Sequence, residues 1–142
     1  MNDSARLEQT TSKFFRRHWS KETLSCQRPY WKNWEEFLYG SVPNYDLGGC
    51  YALFSGTALL YVDPGASKGG GLYPDHGISR RLIAHVITSD RQRGQCWSKL
   101  RESWSSVTSI LTIGFPNEFA YLAPALETFL IRELSPPKNT RV

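Results

Sequence analysis

Six side chains between residues 51 and 139 are of the types that assist hydrolysis of a phosphodiester bond. In chain order they are Tyr51, Tyr61, Arg81, His85, Glu127 and Asn139. A tyrosine or histidine can accept a proton from an attacking water, an arginine stabilises phosphate charge, and a carboxylate holds a divalent cation. The set therefore predicts metal-assisted phosphodiester chemistry, provided that the fold brings these residues together.

Glu127 is the most informative of the six because its surroundings are unusual for a carboxylate. Its neighbours three and four positions away on a helix are all apolar, namely Ala123, Pro124, Leu130 and Ile131. A carboxylate that faces the protein side of a helix is costly unless it is paired or binds a cation. Two explanations stay open: a salt bridge to Arg81, or a Mg²⁺ ion held by this carboxylate, waters and a substrate phosphate.

The other candidates also have ordinary explanations. Tyr51 and Tyr61 are typical sheet aromatics, and most arginines on a basic helix face water. A single helical histidine such as His85 is more often structural than catalytic. Each residue alone is a weak signal, and the ordered combination is the informative one.

Two short apolar runs predict a β-hairpin that carries both tyrosines. Residues 50–54 and 58–62 flank a turn in which Gly56 suits a positive φ. A helix is predicted over residues 78–86, capped by Asp75, with Arg81 and His85 side by side at i, i+4. Its predicted buried stripe is Ile78, Leu82, Ile83 and Val86.

The remaining segments predict three further elements and one loop. Residues 1–40 are predicted to be helical and rich in aromatic side chains, with Trp31, Trp34 and Leu38 at helical spacing. A helix is expected over residues 96–104, a strand over residues 107–115, and a helix from residue 117 in which Pro124 opens a new segment. Residues 64–77 hold five glycines and two prolines, which predicts a loop without a phosphate-binding motif.

Length and composition favour one folded domain with an anionic partner. The 142 residues are 40% hydrophobic and 13% aromatic, which allows a packed core. The net charge is +4 and the pI about 9.1. Basic residues concentrate between residues 76 and 101, where Arg80, Arg81, Arg91, Arg93, Lys99 and Arg101 oppose only Asp90. A phosphate-backbone contact surface and a solvated face both explain that concentration.

Cysteine usage and hydropathy point to an intracellular, cytoplasmic location. Cys26, Cys50 and Cys96 form no pair or zinc-type spacing with the three histidines, so free and mostly buried thiols are expected. No apolar run reaches membrane-spanning length, and the first fifteen residues lack an apolar secretory core. We therefore expect a soluble protein with no membrane partner.

Three segments, in order, resemble the GIY-YIG nuclease superfamily. Gly49-Cys50-Tyr51 followed by Tyr61-Val62-Asp63 resembles the GIY and YIG tripeptides. The stretch ISRRLIAHV (residues 78–86) is similar to the family element that carries an arginine, here Arg81, and in part of the family a histidine, here His85. The stretch ALETFLIRELSPPKNT (residues 125–140) resembles the late helix with a metal-binding glutamate, here Glu127, and a following Asn139.

The resemblance implies both a fold and an activity. The fold is an α+β GIY-YIG-like sandwich, with a three-stranded antiparallel sheet flanked by helices over residues 48–142 and a helical N-terminal extension, residues 1–47, packed on it. The activity is that of a DNA endonuclease, restriction-like or phage-borne, that requires Mg²⁺ or Mn²⁺ at Glu127, with RNA left open as a substrate. Tyr51 would be the general base, with its ordinary pKa near 10 lowered by the metal, His85 or a cation. Arg81 and Tyr61 would stabilise the transition-state charge.

Two residues depart from the family pattern, and two other functions stay open. Cys50 replaces an aliphatic residue, and Asp63 replaces the glycine of YIG, where it would add a second carboxylate to the site. A catalytically inactive nucleic-acid-binding module of the same fold is the alternative that Asp63 favours. A protein-interaction domain would explain the aromatic N-terminus. Cutting both strands would require a homodimer on DNA or two successive events.

Overall fold

Two antiparallel sheets and three α-helices make up the described part of the chain, residues 2–19, 27–64 and 77–139 of the computed structural model. The helices are α1 (Asp3–His18), α2 (Gly77–His85) and α3 (Ala123–Leu134). The strands are β1 (Trp31–Asn33), β2 (Gly48–Ser55), β3 (Ala58–Pro64), β4 (Ile87–Ser89), β5 (Ser98–Leu100) and β6 (Ser109–Phe115). Short 3₁₀ helices span Glu102–Trp104 and Asn117–Leu122. The fold is α+β, as the sequence predicted.

The main sheet has four strands in the order β1-β6-β2-β3, all antiparallel. The predicted hairpin is confirmed as β2 and β3, and the predicted third strand is β6. The prediction of three strands was wrong because β1 adds a fourth, with Trp31 opposite Ile113. Trp31 and Trp34 are buried in the clusters on opposite faces of this sheet, so their helix-like spacing reflected two covered faces.

Helices cover both faces of the main sheet. On one face, α1 and α3 pack against Cys50, Ala52 and Phe54 of β2. On the other face, α2 and the smaller sheet of β4 and β5 pack against Tyr51 and Leu53. Because both faces are covered, seven of the eight residues of β2 are buried. Residues 1–47 were predicted to form a helical extension. Among the described residues of that segment, only those of α1 form an α-helix.

The other predicted elements have mixed outcomes. Helix α2 is confirmed, but Ile83 is 56% exposed instead of buried. The predicted helix over residues 96–104 was wrong, since β5 and a 3₁₀ turn occupy that segment. Helix α3 is confirmed, with Pro124 in its first turn. The Asp75 cap and all of the glycine-rich loop except Pro64 and Gly77 lie outside the described residues.

The two cysteines that the structure describes differ in their exposure. Cys50 is buried as expected, whereas Cys96 is exposed, and Cys26 lies outside the described residues.

Among the helices that the structure describes, none is long and apolar enough to cross a membrane.

Candidate active site

A β-bulge in the hairpin places the two tyrosines and Asp63 on one face of the sheet. Tyr51 lies opposite Asp63 and Leu53 lies opposite Tyr61, but the register shifts by one residue before Leu59 pairs with Phe54. Without this shift, counting back from the turn would put Tyr61 and Asp63 on the face opposite Tyr51, because side chains alternate along a strand. The bulge thus turns two polar side chains toward Tyr51.

The Asp63 carboxylate is the centre of the site. One oxygen, Oδ2, accepts a hydrogen bond from the Tyr51 hydroxyl at 2.9 Å and another from Arg81 Nε at 2.7 Å. The Asp63 side chain is only 6% exposed, whereas that of Arg81 is 39% exposed. A carboxylate this deeply buried needs such partners. One acidic group therefore holds the tyrosine and the arginine together.

The tyrosine hydroxyls are strongly biased toward their protonated forms. Burial, and then the neighbouring Asp63 charge, raise the pKa of Tyr51 far above its ordinary value. The same two causes raise the pKa of Tyr61 to about 12. The two rings lie 6.3 Å apart between centroids, and the Tyr61 ring packs at 5.0 Å from Trp104. Neither tyrosine is a ready phenolate in this environment.

The loop that precedes β2 fixes the helix that carries Arg81. The carbonyls of Tyr45 and Leu47 accept hydrogen bonds from the backbone N–H groups of Ser79 and Ile78, at 3.2 and 3.1 Å. These N–H groups belong to the first turn of α2, which has no partners for them within the helix. The loop itself is bound to the sheet through Thr112, whose hydroxyl donates to the Pro43 carbonyl at 2.7 Å. The guanidinium of Arg81 therefore reaches Asp63 from a helix held at its N-terminus.

Glu127 lies on α3, which packs on the face of the sheet opposite to α2. Its pKa is nevertheless affected by the charges of Asp63 and Arg81. The Cys50 thiol donates to the carbonyl of Ala123 at 3.3 Å, which ties the start of α3 to β2. Glu127 is half-buried, and its pKa is raised by burial first and by the charge of Asp63 second, while Arg81 lowers it. The two carboxylates therefore repel each other, and one arginine offsets only part of their charge. The structure contains no direct Glu127–Arg81 ion pair among the described residues.

Asn139 holds the edge of the sheet. Its side-chain amide accepts from the backbone N–H of Val62 and donates to the carbonyl of Val62, both at 2.8 Å. Val62 lies between Tyr61 and Asp63 on the edge strand β3. The amide of Asn139 thus replaces a neighbouring strand and fixes the backbone that carries both site residues.

His85 lies apart from this group. It is the last residue of α2 and is exposed. Its backbone carbonyl accepts from Trp104 Nε1 at 3.0 Å. Within the described residues, its imidazole forms no hydrogen bond or ion pair with the other five predicted site residues.

The five basic residues predicted to bind nucleic acid have different surroundings. Arg80, Arg91, Arg93, Lys99 and Arg101 are all exposed. Arg101 donates to the carbonyl of Ile83 at 2.6 Å and so ties β5 to the end of α2. The guanidinium carbon of Arg93 lies 3.4 Å from the ring centroid of Trp97. Arg101 therefore has a structural contact, and Arg93 is held in place by an aromatic ring.

A divalent cation at this site would have at most two carboxylates, Asp63 and Glu127, as protein ligands. Among the described residues, no three His, Cys, Asp or Glu side chains are grouped to hold a metal ion. The surplus negative charge on Asp63 and Glu127 would be relieved by a cation. Mg²⁺ and Mn²⁺ suit such a place, because Mg²⁺ is commonly held by one or two carboxylates, with waters and substrate phosphates completing the shell.

The central position of Asp63 is the feature that residue patterns did not predict. Asp63 was expected at most as a second carboxylate for a metal, and its hydrogen bond to Tyr51 was missed. The position of Asp63 depends on the bulge between Leu53 and Phe54. The spacing of apolar residues in the sequence does not indicate that bulge. Trp104, which packs on Tyr61, was placed in a helix that does not form.

The chain matches no protein-family model, no curated protein and no solved structure. The resemblance to the GIY-YIG superfamily therefore rests on the residues and spacings described above.

Proposed function

We propose that this chain is a divalent-metal-dependent DNA endonuclease with a GIY-YIG-like α/β sandwich. The observation that carries the proposal is the convergence of Tyr51 and Arg81 on the Asp63 carboxylate, whose charge also raises the pKa of Tyr61 and of Glu127. These residues are far apart in the sequence and belong to β2, β3, α2 and α3. Convergence of a proton acceptor, a cation and a carboxylate pair is what phosphodiester hydrolysis requires.

The hydrogen bond between Tyr51 and Asp63 supplies a route for the proton of the attacking water. Tyr51 is fully buried in this structure, so the route requires that a water reach its hydroxyl when DNA binds. That water oxygen attacks phosphorus, its proton passes to the Tyr51 oxygen, and the Tyr51 proton passes to Asp63 Oδ2. The bond from phosphorus to the 3′ oxygen breaks, and that oxygen leaves with its electron pair. Because both transfers occur together, Tyr51 never has to become a free phenolate, which its raised pKa disfavours.

In this proposal, Arg81 and Tyr61 stabilise phosphate charge. The Arg81 side chain is fixed through Nε, yet 39% of it remains exposed to an incoming ligand. The Tyr61 hydroxyl stays protonated because its pKa is about 12, so it can donate a hydrogen bond. Donors fixed before the substrate binds stabilise the transition state without further ordering.

Glu127 is the residue proposed to hold Mg²⁺ or Mn²⁺, with Asp63 as a second carboxylate nearby. When bound, the cation would stabilise charge on the scissile phosphate and the leaving oxygen. The role of Glu127 is to retain its negative charge for that cation in a half-buried position.

A catalytically inactive DNA-binding module is the alternative function. The ion pair of Asp63 with Arg81 favours it, because a carboxylate at this place competes with a phosphate for the arginine. The intact set of Tyr51, Arg81 and Glu127 favours the enzyme. A restriction-like or phage-borne role, and a homodimer on DNA that cuts both strands, are part of the enzyme proposal.

The deciding experiment is plasmid cleavage by the purified protein with Mg²⁺, with Mn²⁺ and with EDTA. We expect nicked or linear DNA with either metal and none with EDTA or with Glu127→Ala. Glu133→Ala removes an exposed glutamate from the same helix and serves as the control. Absence of cleavage by the wild type with both metals, on DNA that it binds, would leave the binding-module function instead.

A further inference from the structure

The loop between β4 and β5, residues 90–97, projects an exposed turn that we call the ribbon tip. Strands β4 and β5 pair from Ile87–Leu100 to Ser89–Ser98, so the segment forms a two-stranded antiparallel ribbon. All tip residues from position 91 to 96 are exposed. The ribbon packs on the same face of the main sheet as α2, the helix of Arg81.

Hydrogen bonds within the ribbon tip hold it in one conformation. The Asp90 carboxylate accepts from the backbone N–H of Arg93 at 3.2 Å. The Asp90 N–H donates to the Trp97 carbonyl at 2.9 Å, and the Gly94 N–H donates to the Asp90 carbonyl at 3.3 Å. Gly94 has a φ of 122°, a backbone conformation that favours glycine. The only acidic residue of the tip is thus used to close the turn.

The ribbon is fixed to two neighbouring segments, through its tip residue Cys96 and through residues of β5 and just after it. On one side, the Gly40 N–H donates to the Cys96 carbonyl at 2.7 Å, and the Ser98 N–H donates to the Leu38 carbonyl at 2.8 Å. On the other side, Arg101 binds the carbonyl of Ile83 in α2. The ribbon therefore keeps a set position relative to the helix that carries Arg81.

The tip presents positive charge on this rigid support. Arg91 and Arg93 oppose Asp90 alone in the tip, and Lys99 and Arg101 add two more charges on and just after β5. The guanidinium of Arg93 lies over Trp97, and Tyr39 packs edge-on against the same ring at 4.9 Å. A guanidinium that is already ordered loses less entropy when it binds a base edge or a phosphate.

We propose that the ribbon tip enters the major groove of duplex DNA, with Arg91 and Arg93 as its contacts to the duplex. The proposal rests on the proposed function and adds the surface that positions DNA at the site. A two-stranded ribbon is one of the elements that the B-form major groove admits, and arginine pairs well with the edge of guanine. The major groove of A-form RNA is too narrow for it. Duplex DNA is thus bound more tightly than duplex RNA of the same sequence.

The test compares Arg91→Ala/Arg93→Ala with a matched control, Arg16→Ala/Arg17→Ala. The control removes the same charge from exposed positions of α1, which packs on the other face of the sheet. Binding of a fluorescent 30-bp DNA duplex is measured in EDTA over a range of salt concentrations, and melting temperatures verify folding. We expect the tip variant to bind about tenfold more weakly, with a salt slope smaller by about 1 to 2. The control should match the wild type.

Each outcome separates this inference from the proposed function. If the folded tip variant keeps wild-type affinity and salt slope, the ribbon inference is wrong while the nuclease proposal stands. If wild type binds RNA duplex as tightly as DNA duplex, insertion into the major groove is wrong. If wild type binds no DNA duplex at all, both proposals fail. Cleavage assays give an independent readout, since only a DNA-bound enzyme cuts.

Discussion

Asp63 changes the chemical role that Tyr51 can play. A glycine at this position would leave the Tyr51 hydroxyl without its acceptor and Arg81 without its ion pair. With Asp63 present, the tyrosine is a stable hydrogen-bond donor whose proton already points to a carboxylate. Asp63, which departs from the GIY-YIG pattern that the chain resembles, is therefore the residue that connects Tyr51 with Arg81.

Tyr51→Phe should lose most of the cleavage activity. This change removes only the hydroxyl, so we expect cleavage to fall by about 100-fold or more because the proton route is broken. Loss of a buried hydrogen bond to a charged group should lower the free energy of unfolding by about 1–3 kcal/mol. Single-turnover cleavage and urea denaturation measure the two effects. Wild-type cleavage by the folded variant would assign Tyr51 to packing.

Asp63→Asn tests whether the buried carboxylate accepts the Tyr51 proton or instead blocks Arg81. The amide keeps the shape but cannot take the Tyr51 proton, so we expect cleavage to fall by about 100-fold. DNA affinity should rise, because a negative charge beside the phosphate site is removed. Rates under saturating DNA and binding in EDTA measure these effects. Faster cleavage by the variant would show instead that Asp63 blocks Arg81.

Glu127→Gln should reveal the raised pKa of Glu127 as a pH-dependent difference in stability. A carboxyl whose pKa in the folded protein exceeds its ordinary value of 4.5 is best tolerated in its protonated form. Its contribution to stability is complete below that ordinary value and is lost as the pH rises through the raised pKa. We therefore expect the variant to melt a few degrees above wild type at pH 7 and at the same temperature near pH 4.

A lower melting temperature for Glu127→Gln at pH 7 would mean that the charge is paired in the folded protein. Glu133→Gln, on the same helix but ion-paired with Lys13 at 3.1 Å, is the matched control. Thermal unfolding in EDTA at a series of pH values measures both variants without any bound cation.

At the scale of elements, apolar patterns predicted one hairpin, one further strand and two helices. The β2–β3 hairpin, α2, β6 and α3 follow from short apolar runs and from proline and glycine positions. Strand β1 was misassigned because Trp31 and Trp34 are buried on opposite faces, which imitates helical spacing. The ribbon was misassigned because β5 has no fully buried residue to show a period of two. The bulge, which builds the site, depends on pairing between strands.

Gly49 sets how closely β2 approaches β6, and Gly49→Ala should be strongly destabilising. An added Cβ would overlap the Ile113 carbonyl oxygen, so the central strands would have to separate. We expect a loss of about 3 kcal/mol or more in the free energy of unfolding. The control is Gly56→Ala, where nothing lies within 4 Å and only the φ of 59° opposes alanine, for about 1 kcal/mol. Equal losses in urea denaturation would show that β6 moves without cost.

At the scale of the whole molecule, the sheet divides two kinds of surface. The face with α1 and α3 is a largely apolar aromatic core, and the face with α2 carries Tyr51, Tyr61 and the ribbon. Glu127 comes from the first layer and Arg81 from the second, so the site exists only when both layers are packed. Of the six residues that the sequence singled out, Tyr51, Tyr61 and Arg81 come together at Asp63 through the bulge and through the loop over residues 43–47 that fixes α2, whereas His85 lies apart.

A cation that binds between these layers should stabilise the whole fold. Because Asp63 and Glu127 repel each other in the metal-free protein, the melting temperature should rise with the logarithm of the Mg²⁺ or Mn²⁺ concentration above the dissociation constant. At about ten times the dissociation constant, the gain is about 1.4 kcal/mol. Glu127→Gln should abolish this rise, while Glu133→Gln should retain it. Thermal unfolding in EDTA and in increasing MnCl₂ measures the effect without DNA. If the rise is the same in wild type and in Glu127→Gln, the cation binds elsewhere, and the metal role of Glu127 is wrong even if DNA is cut.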